Sequence, residues 1–249
     1  MFRRLFLALI VSFSTAAAVA QSLRIGISPD YPPLAYMVDG NIIGIEADNA
    51  RAVSEILGRR MELVQLPFKE LIPALVAGKI DVIMSGLSVT DERAQRVTFT
   101  EPYMRMGQMA IMHRDKVARF AQPWSVYREG VRIGVEAGTT GAEFAANELK
   151  DAQVSFYTDA AAAFQGLRKD EIDLYIHDAP TSWQLATTSE NDDLISLYAP
   201  LTEEMLAWAV SKSNGELAAD LNRALGLMKG NGTLRYILNR HIPVTVEVK

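Results

Sequence analysis

Short apolar runs of strand length alternate with segments of helical spacing along most of this chain. Leu23 to Ile27 and Met61 to Gln65 have the length and flanking residues of strands. Asp48 to Leu57 and Phe68 to Ala77 have helical spacing, and a glycine follows each of them. Because parallel strands need a crossover connection, usually a helix, this order is typical of a largely parallel sheet with helices on both faces. The sequence therefore predicts an α/β fold.

The pattern starts again in the second half of the chain. Val131 to Val135, Val154 to Tyr157 and Ile172 to Ile176 are predicted strands separated by helical segments. The sequence Leu-Arg-Ile-Gly at 23–26 is matched by Val-Arg-Ile-Gly at 131–134. A chain of 249 residues is long enough for two domains of ordinary size. We therefore predict two similar α/β lobes.

Three further segments complete the predicted elements. Gln108 to His113 and Leu206 to Val210 are apolar runs of strand length. Ser213 is followed three residues later by Glu216, which is the pattern of a capping box. We expect this box to open a helix that runs to about Lys229.

The stretch from Ile80 to Tyr103 carries the clearest chemical signal. Its apolar run Val82 to Met84 predicts a buried strand, which Ser85-Gly86 ends. Ser88 to Arg93 then place hydroxyls, free backbone N–H groups and one guanidinium beyond the carboxyl end of that strand. Ligands of open α/β sheets bind at such ends, and an arginine meets a carboxylate with two parallel hydrogen bonds. The stretch therefore predicts a carboxylate receptor.

Four motifs in and around this stretch resemble the pattern of a known family. They are Leu-Ile-Pro-Ala-Leu from Leu71 to Leu75, Gly-Lys-Ile-Asp from Gly78 to Asp81, the Gly-x-Ser-x-Thr-x-x-Arg loop from Gly86 to Arg93, and Phe-x-x-Pro-Tyr from Phe99 to Tyr103. With them the chain, from Leu23 to about Asn239, resembles the amino-acid-binding branch of the bacterial extracellular solute-binding proteins, family 3. The resemblance implies a type II periplasmic binding protein fold: two lobes, each a mostly parallel sheet flanked by helices, joined by two hinge crossings.

The resemblance also implies where the chain crosses between the lobes. The crossings are expected near Met109 to His113 and Glu204 to Trp208. Lobe 1 would then hold residues 21–109 and 207–249, and lobe 2 residues 110–206. Paired crossing strands make a hinge, and closure of a hinge around a ligand is an established kind of transition.

The family's binding site implies roles for ten residues here. A free amino acid needs a cation for its carboxylate, an anion for its ammonium group, and apolar walls. Arg93 would bind the carboxylate with the backbone N–H of Ser88, and Asp178 of the second lobe, at the position equivalent to Ser85 or Gly86, would bind the ammonium. Aromatic faces and the free N–H donors of a helix start would complete the pocket. The expected ligand-binding set is Tyr31, Phe68, Ser85, Gly86, Ser88, Arg93, Thr139, Thr140, His177 and Asp178.

Several of these residues have an ordinary structural role as the alternative. Asp178 precedes Ala179-Pro180, which is a good helix opening, so Asp178 could be a cap. Tyr31 and Phe68 could be core aromatics. The three histidines of the chain lack the spacing of metal ligands, so we expect no metal and no cofactor.

The predicted pocket has one feature that bears on the ligand's side chain. Family members that bind arginine, lysine or ornithine carry an acid three residues before the tyrosine, and here Ser28 stands at that position. We therefore expect a neutral or polar amino acid rather than a cationic one, with Asp30 as an acid that could reverse this expectation. Gly44 to Asn49 also depart from the family's Gly-Phe-Asp-x-Asp-Leu, and we expect this departure not to touch the pocket.

The N-terminus, residues 1–20, has the pattern of a secretion signal. Arg3 and Arg4 precede the apolar segment Leu5 to Phe13, and small residues end at Ala20, where we expect cleavage. The chain has no cysteine, so no lipid anchor can form at that site, and we expect a periplasmic protein. A net charge of −5 without a basic stripe argues against a nucleic-acid partner.

The expected function is capture of an amino acid or similar small zwitterion by hinge closure, by a monomer that delivers it to the membrane permease of an ABC transporter and is not an enzyme. One alternative is a cyclohexadienyl or arogenate dehydratase on the same fold. Such an enzyme needs a carboxylic acid in the cleft, and Glu136 and Glu143 flank the threonine loop. The other alternative is a ligand-sensing partner of a membrane signalling receptor.

Overall fold

A computed structural model describes residues 22–185 and 189–242 of the chain; the expected signal sequence lies outside these residues. The strands are β1 (Leu23–Ile27), β2 (Asp30–Tyr31), β3 (Ala35–Val38), β4 (Asn41–Ile43), β5 (Met61–Gln65), β6 (Val82–Ile83), β7 (Val97–Phe99), β8 (Met104–Met106), β9 (Gln108–His113), β10 (Arg132–Glu136), β11 (Gln153–Tyr157), β12 (Leu174–Asp178), β13 (Leu194–Ser196), β14 (Glu204–Leu206) and β15 (Ala209–Ser211). The α-helices are α1 (Ile45–Leu57), α2 (Leu71–Val76), α3 (Asp91–Arg96), α4 (Val117–Phe120), α5 (Thr140–Glu148), α6 (Ala160–Arg168), α7 (Ala179–Leu185), α8 (Gly215–Gly230) and α9 (Thr233–His241). Within the described residues, no helix combines the length and the apolar character that crossing a bilayer requires.

Two five-stranded sheets with the same plan organise the molecule. The first has the strand order β5-β1-β6-β15-β7 and the second the order β11-β10-β12-β9-β13. In each sheet the first three strands are parallel, and the last two run antiparallel to their neighbours. The predicted α/β fold with two mostly parallel sheets is confirmed.

The match between residues 23–26 and 131–134 corresponds to a repeated ion-pair arrangement. Arg24 donates from its backbone N–H to Asp81 Oδ2 at 2.8 Å and from Nη2 to Oδ1 at 2.7 Å. Arg132 makes the same two bonds to Asp173, at 3.1 and 2.7 Å. In both sheets the pair joins the start of the second strand in the order, β1 or β10, to the residue that precedes the central strand, β6 or β12. The two sheets are thus alike in side-chain contacts as well as in strand order.

The strands that precede and follow the second sheet bear on where the chain crosses between the predicted lobes. β8 and β14 pair with each other, outside both five-stranded sheets. β9 already belongs to the second sheet, because Gln108 and Met109 pair with residues of β12. The predicted crossing near Met109 to His113, and the boundary after Met109, therefore fall inside a strand of that sheet. β14 lies within the segment Glu204 to Trp208, where the second crossing is predicted.

The predicted strand from Leu206 to Val210 is divided into two. Leu206 pairs with Met104 in the two-stranded ribbon of β8 and β14, which we call the crossing ribbon. Ala209 instead pairs with Ile83 and Phe99 in the first sheet. Because the two halves have different partners, the backbone must turn between them, at Ala207-Trp208. The apolar pattern was continuous across this turn, since the indole of Trp208 is itself fully buried.

Two helices begin at other residues than the sequence predicted. α1 begins at Ile45 rather than Asp48, because the carbonyls of Pro33 and Leu34 accept the N–H groups of its first residues. α8 is capped by Asn214, whose side chain accepts from the N–H of Leu217 at 3.2 Å. The predicted capping box at Ser213 was therefore wrong by one residue.

Candidate functional site

A cavity of about 40 Å³ lies between the two sheets, beyond the carboxyl ends of β1, β6, β10 and β12. Its walls include nine of the ten predicted ligand-binding residues, namely Tyr31, Phe68, Gly86, Ser88, Arg93, Thr139, Thr140, His177 and Asp178. The other, Ser85, does not line the cavity. Its hydroxyl accepts a hydrogen bond from the backbone N–H of Ser28 at 2.9 Å and so fixes the loop behind the wall. The structure thus brings nine of the predicted residues together at one cavity, and Ser85 is the exception.

Arg93 is held in the cavity wall by a short helix. Thr90 caps α3, with its hydroxyl accepting from the Arg93 N–H at 3.2 Å. Arg93 is 7% exposed, and its guanidinium donates from Nη1 to the Ser88 carbonyl at 2.9 Å. The guanidinium lies 5.7 Å from the centre of the Phe68 ring. Arg93 is therefore a buried, oriented cation and not a solvated surface residue.

Burial lowers the pKa of the Arg93 guanidinium, and the carboxylates of Glu143 and Asp178 act in the opposite direction. Nη2 also donates to the carbonyl of Gly138, in the loop after β10, at 3.0 Å. This bond joins the two halves of the molecule at the cavity.

Asp178 ends β12 and faces Arg93's half of the molecule. Its carboxylate accepts hydrogen bonds from the hydroxyl of Tyr31 and the amide of Gln108. Burial raises the pKa of the Asp178 carboxyl, whereas His177 and the bond from Tyr31 oppose the shift. Ile25 pairs with Val82 and Ile133 with Leu174, so Asp178 occupies the position in the second sheet that Gly86 occupies in the first.

Gly86 is supported from behind by a buried carboxylate. Glu46 is fully buried and accepts from the Gly86 N–H at 2.6 Å, the Tyr103 hydroxyl at 2.8 Å and the Trp208 Nε1 at 3.2 Å. Burial raises the pKa of the Glu46 carboxyl, and these three donors oppose the shift. None of residues 44–49 lines the cavity, as expected, but Glu46 supports the wall residue Gly86 from behind.

Thr139 and Thr140 make different hydrogen bonds with their hydroxyl groups. The Thr139 hydroxyl caps α5, accepting from the N–H of Ala142 at 3.2 Å. The Thr140 hydroxyl donates to Glu204 of the crossing strand β14 at 2.7 Å. The amide of Gln108 also donates to Glu204, at 3.1 Å. Gln108 and Glu204 thus connect the cavity to the crossing ribbon, and the predicted site contained neither.

Glu136 is the most consequential wall residue missing from the predicted ligand-binding set. It ends β10 and lines the cavity, and its side chain is 17% exposed. The sequence signal that could have found it is the repeat, because Glu136 stands in the second sheet where Ser28 stands in the first. Asp30 also lines the cavity. Within the described residues, no three imidazole or carboxylate groups converge to hold a metal ion.

Comparison with known proteins agrees with this geometry. Residues 23–244 match the family described as Bacterial extracellular solute-binding proteins, family 3. The chain is 29% identical to ABC transporter arginine-binding protein 1 of Escherichia coli (strain K12), over 95% of this chain and 97% of that protein.

Two solved structures have the same fold. The putative binding component of an ABC transporter from Wolinella succinogenes DSM 1740, complexed with lysine, is 28% identical, covers 90% of this chain and 97% of its own, and gives a TM-score of 0.84. The ancestral amino acid-binding protein AncCDT-1, described as a precursor of cyclohexadienyl dehydratase, is 29% identical over 89% of this chain and 95% of its own, with a TM-score of 0.83.

These relatives overturn one prediction. The preference for a neutral or polar ligand rested on Ser28 alone, yet the relatives include an arginine-binding protein and a complex with lysine. Ser28 is a poor guide because the cavity has acids elsewhere in its wall, at Asp30 and Glu136. The strand order, the cavity between two similar sheets and the match over residues 23–244 lead to one conclusion: this chain belongs to the bacterial extracellular solute-binding proteins, family 3.

Proposed function

We propose that this protein captures a free amino acid in the periplasm and delivers it to the permease of an ABC transporter. The observation that carries the proposal is that a buried guanidinium from one half of the molecule and a carboxylate from the other half line one cavity. Arg93 binds the ligand's α-carboxylate and Asp178 its α-ammonium. Phe68 and Tyr31 enclose the carbon atoms between them.

Closure of the two halves is the step that makes this site. Among the described residues, the hydrogen bonds that span them include Arg93 to the Gly138 carbonyl, Tyr31 to Asp178, and Thr181 to the Pro32 carbonyl at 3.3 Å. A zwitterion between Arg93 and Asp178 adds charge-assisted hydrogen bonds that only the closed form can make, so the ligand favours closure. We place the hinge at β8 and β14, with lobe 2 between them, which moves the first boundary from Met109 to the start of β9.

A direct test is to identify the solute and then remove the cation. Mass spectrometry of molecules released from the denatured protein, followed by a thermal-shift screen, identifies the amino acid. Calorimetry with that amino acid then compares Arg93→Ala with the native chain. We expect a loss of roughly 3 to 5 kcal/mol, because the ligand's carboxylate is left buried and unpaired.

Arg96→Ala is the matched control, since Arg96 lies on the same helix and is exposed. It should bind the amino acid as the native chain does. Native affinity in Arg93→Ala would contradict the carboxylate role.

A second candidate function is favoured by one observation. Glu136 is a largely buried carboxyl group in the cavity wall, and burial raises its pKa, as a general acid requires. Prephenate, however, carries two carboxylates, and the cavity offers Arg93 beside the acids Asp178 and Glu136, so we favour binding over dehydration. Formation of phenylpyruvate from prephenate by the purified protein would reverse this choice.

Transport is distinguished from sensing by deletion of the gene. Loss of uptake of the identified amino acid supports delivery to a permease. Unchanged uptake with a lost signalling response would assign the closed form to a membrane receptor.

A further inference from the structure

We propose that Glu136 is a specificity-determining residue that binds a cationic group on the ligand's side chain. The inference rests on the proposed function and deepens it, since it names the class of amino acid that the cavity selects. It is carried by the position of Glu136, by the charges around it and by the tasks already taken by Arg93 and Asp178.

Glu136 lies where it can contact the side chain of a bound amino acid. Glu136 is the last residue of β10, and its side chain lines the same cavity as Arg93 and Asp178. The Tyr175 hydroxyl donates to Oε1, and His177 Nε2 lies 3.5 Å from the same oxygen. Both contacts engage Oε1, so they leave Oε2 to another donor. A ligand held by its α-groups would present its side chain to this wall.

The charges around Glu136 are mostly of its own sign. Burial raises the pKa of the Glu136 carboxyl; His177 and the Tyr175 hydroxyl oppose the shift, whereas Asp159 and Asp178 add to it. A largely buried carboxylate near two other carboxylates is costly unless a cation comes close to it. A guanidinium or ammonium group from the ligand would supply that cation and hydrogen-bond donors together.

The ligand's backbone cannot supply this charge. Its carboxylate and ammonium groups neutralise Arg93 and Asp178 in turn, so a zwitterion with an uncharged side chain leaves Glu136 without a cation. A ligand with a cationic side chain supplies the positive charge that Glu136 lacks. The cavity is therefore matched in charge to a basic amino acid.

His177 is the alternative partner for Glu136. Its ring packs edge-on against Tyr31, with ring centres 4.9 Å apart, and its Nδ1 is buried without a hydrogen-bond partner among the described residues. Its contact with Glu136 is made by Nε2 alone, at 3.5 Å from Oε1, and does not involve Oε2. His177 is therefore a poor substitute for a cation from the ligand.

The test compares amino acids that differ in side-chain charge. Calorimetry measures arginine against citrulline, its neutral counterpart, and lysine against norleucine, with the native chain, Glu136→Gln and the control Glu143→Gln. The carboxylate of Glu143 is near enough to Arg93 to raise the pKa of its guanidinium, but Glu143 does not line the cavity. We expect the native chain to bind at least one basic member roughly 10- to 100-fold more tightly than its neutral partner. Glu136→Gln should abolish most of that ratio, and Glu143→Gln should keep it.

A neutral partner bound as tightly as its basic counterpart by the native chain would overturn the inference, as would a ratio that Glu136→Gln leaves unchanged. The first of these outcomes needs no variant, so it decides the matter even if Glu136→Gln does not fold. Binding of none of the four amino acids would overturn the inference and leave the proposed function to the released solute. If Arg93→Ala binds the amino acid as tightly as the native chain does, the proposed function is contradicted. The ratio of affinities for basic and neutral amino acids would still test the role of Glu136.

Discussion

At the scale of single residues, Gly86 connects the buried support of the site to the cavity wall. Its φ is +65°, in the left-handed region, and its N–H donates to Glu46. A Cβ at this position would lie 2.5 Å from Leu34 and 2.8 Å from Tyr31. Glycine is therefore required at position 86 for two reasons: the backbone has a positive φ, and a larger side chain would overlap Leu34 and Tyr31.

We expect Gly86→Ala to lower ligand affinity at least 10-fold, because the new methyl group displaces the Tyr31 ring that bonds to Asp178. Gly78→Ala is the control, since Gly78 has a φ of +69° and a methyl group added there would have open space for 4 Å around it. Both variants should lose about 1 to 2 kcal/mol of stability from backbone strain. Calorimetry and urea unfolding separate the two effects, and equal affinities in the two variants would contradict the role given to crowding.

At the scale of elements, an arginine–aspartate pair in each sheet connects the starts of two adjacent parallel strands. In the second sheet Asp173 is 1% exposed and accepts from Arg132 and from Lys116, the latter at 3.0 Å. Although burial opposes the shift, these hydrogen bonds hold the pKa of the Asp173 carboxyl well below its usual range. The ion pair thus links β10, β12 and the segment after β9.

Because the folded-state pKa of Asp173 is depressed, its contribution to stability is fully present above the unfolded value near 4 and declines as the pH falls from there through the folded value. We expect Asp173→Asn to lower the free energy of unfolding by roughly 2 to 4 kcal/mol at pH 7 and by about 1 kcal/mol less at pH 3, where only the unfolded carboxyl has begun to bind a proton. Urea unfolding at the two pH values measures this, with the exposed Asp151→Asn as control. If Asp173→Asn loses as much free energy of unfolding at pH 3 as at pH 7, the loss comes from packing and not from the charge of Asp173.

At the scale of the whole molecule, the two sheets meet through the cavity residues and through the ribbon of β8 and β14. Gln108 begins β9, and its amide donates to Asp178 in the cavity and to Glu204 in the ribbon. The site and the proposed hinge therefore share a hydrogen-bond network. Movement at the ribbon would therefore change the hydrogen bond between Gln108 and Asp178, the proposed partner of the ligand's ammonium group.

We expect the identified amino acid to lower the radius of gyration measured by small-angle X-ray scattering, because the ligand stabilises the closed form. Arg93→Ala at the same ligand concentration should show no such decrease. A native chain whose radius does not change with saturating ligand would rule out closure as the binding step.

The sequence predicted local features well where a single segment decides them. The strands Leu23–Ile27 and Met61–Gln65 are as expected, since their apolar periodicity and flanking residues act within a few positions. Errors arose where a distant segment takes part. The carbonyls of Pro33 and Leu34 start α1, and different pairing partners divide the predicted strand at Ala207-Trp208.

The sequence by itself determined the α/β class and the repeat of one lobe plan, and its motifs predicted that Arg93 and Asp178 lie at one cavity, because local patterns carry each of these features. Only the tertiary structure decided that Ser85 faces away from the cavity, that Glu46 supports Gly86 and that Glu136 lines the wall. The physical reason is that burial and charge balance depend on which side chains converge from separate strands. No single segment of the chain contains that information.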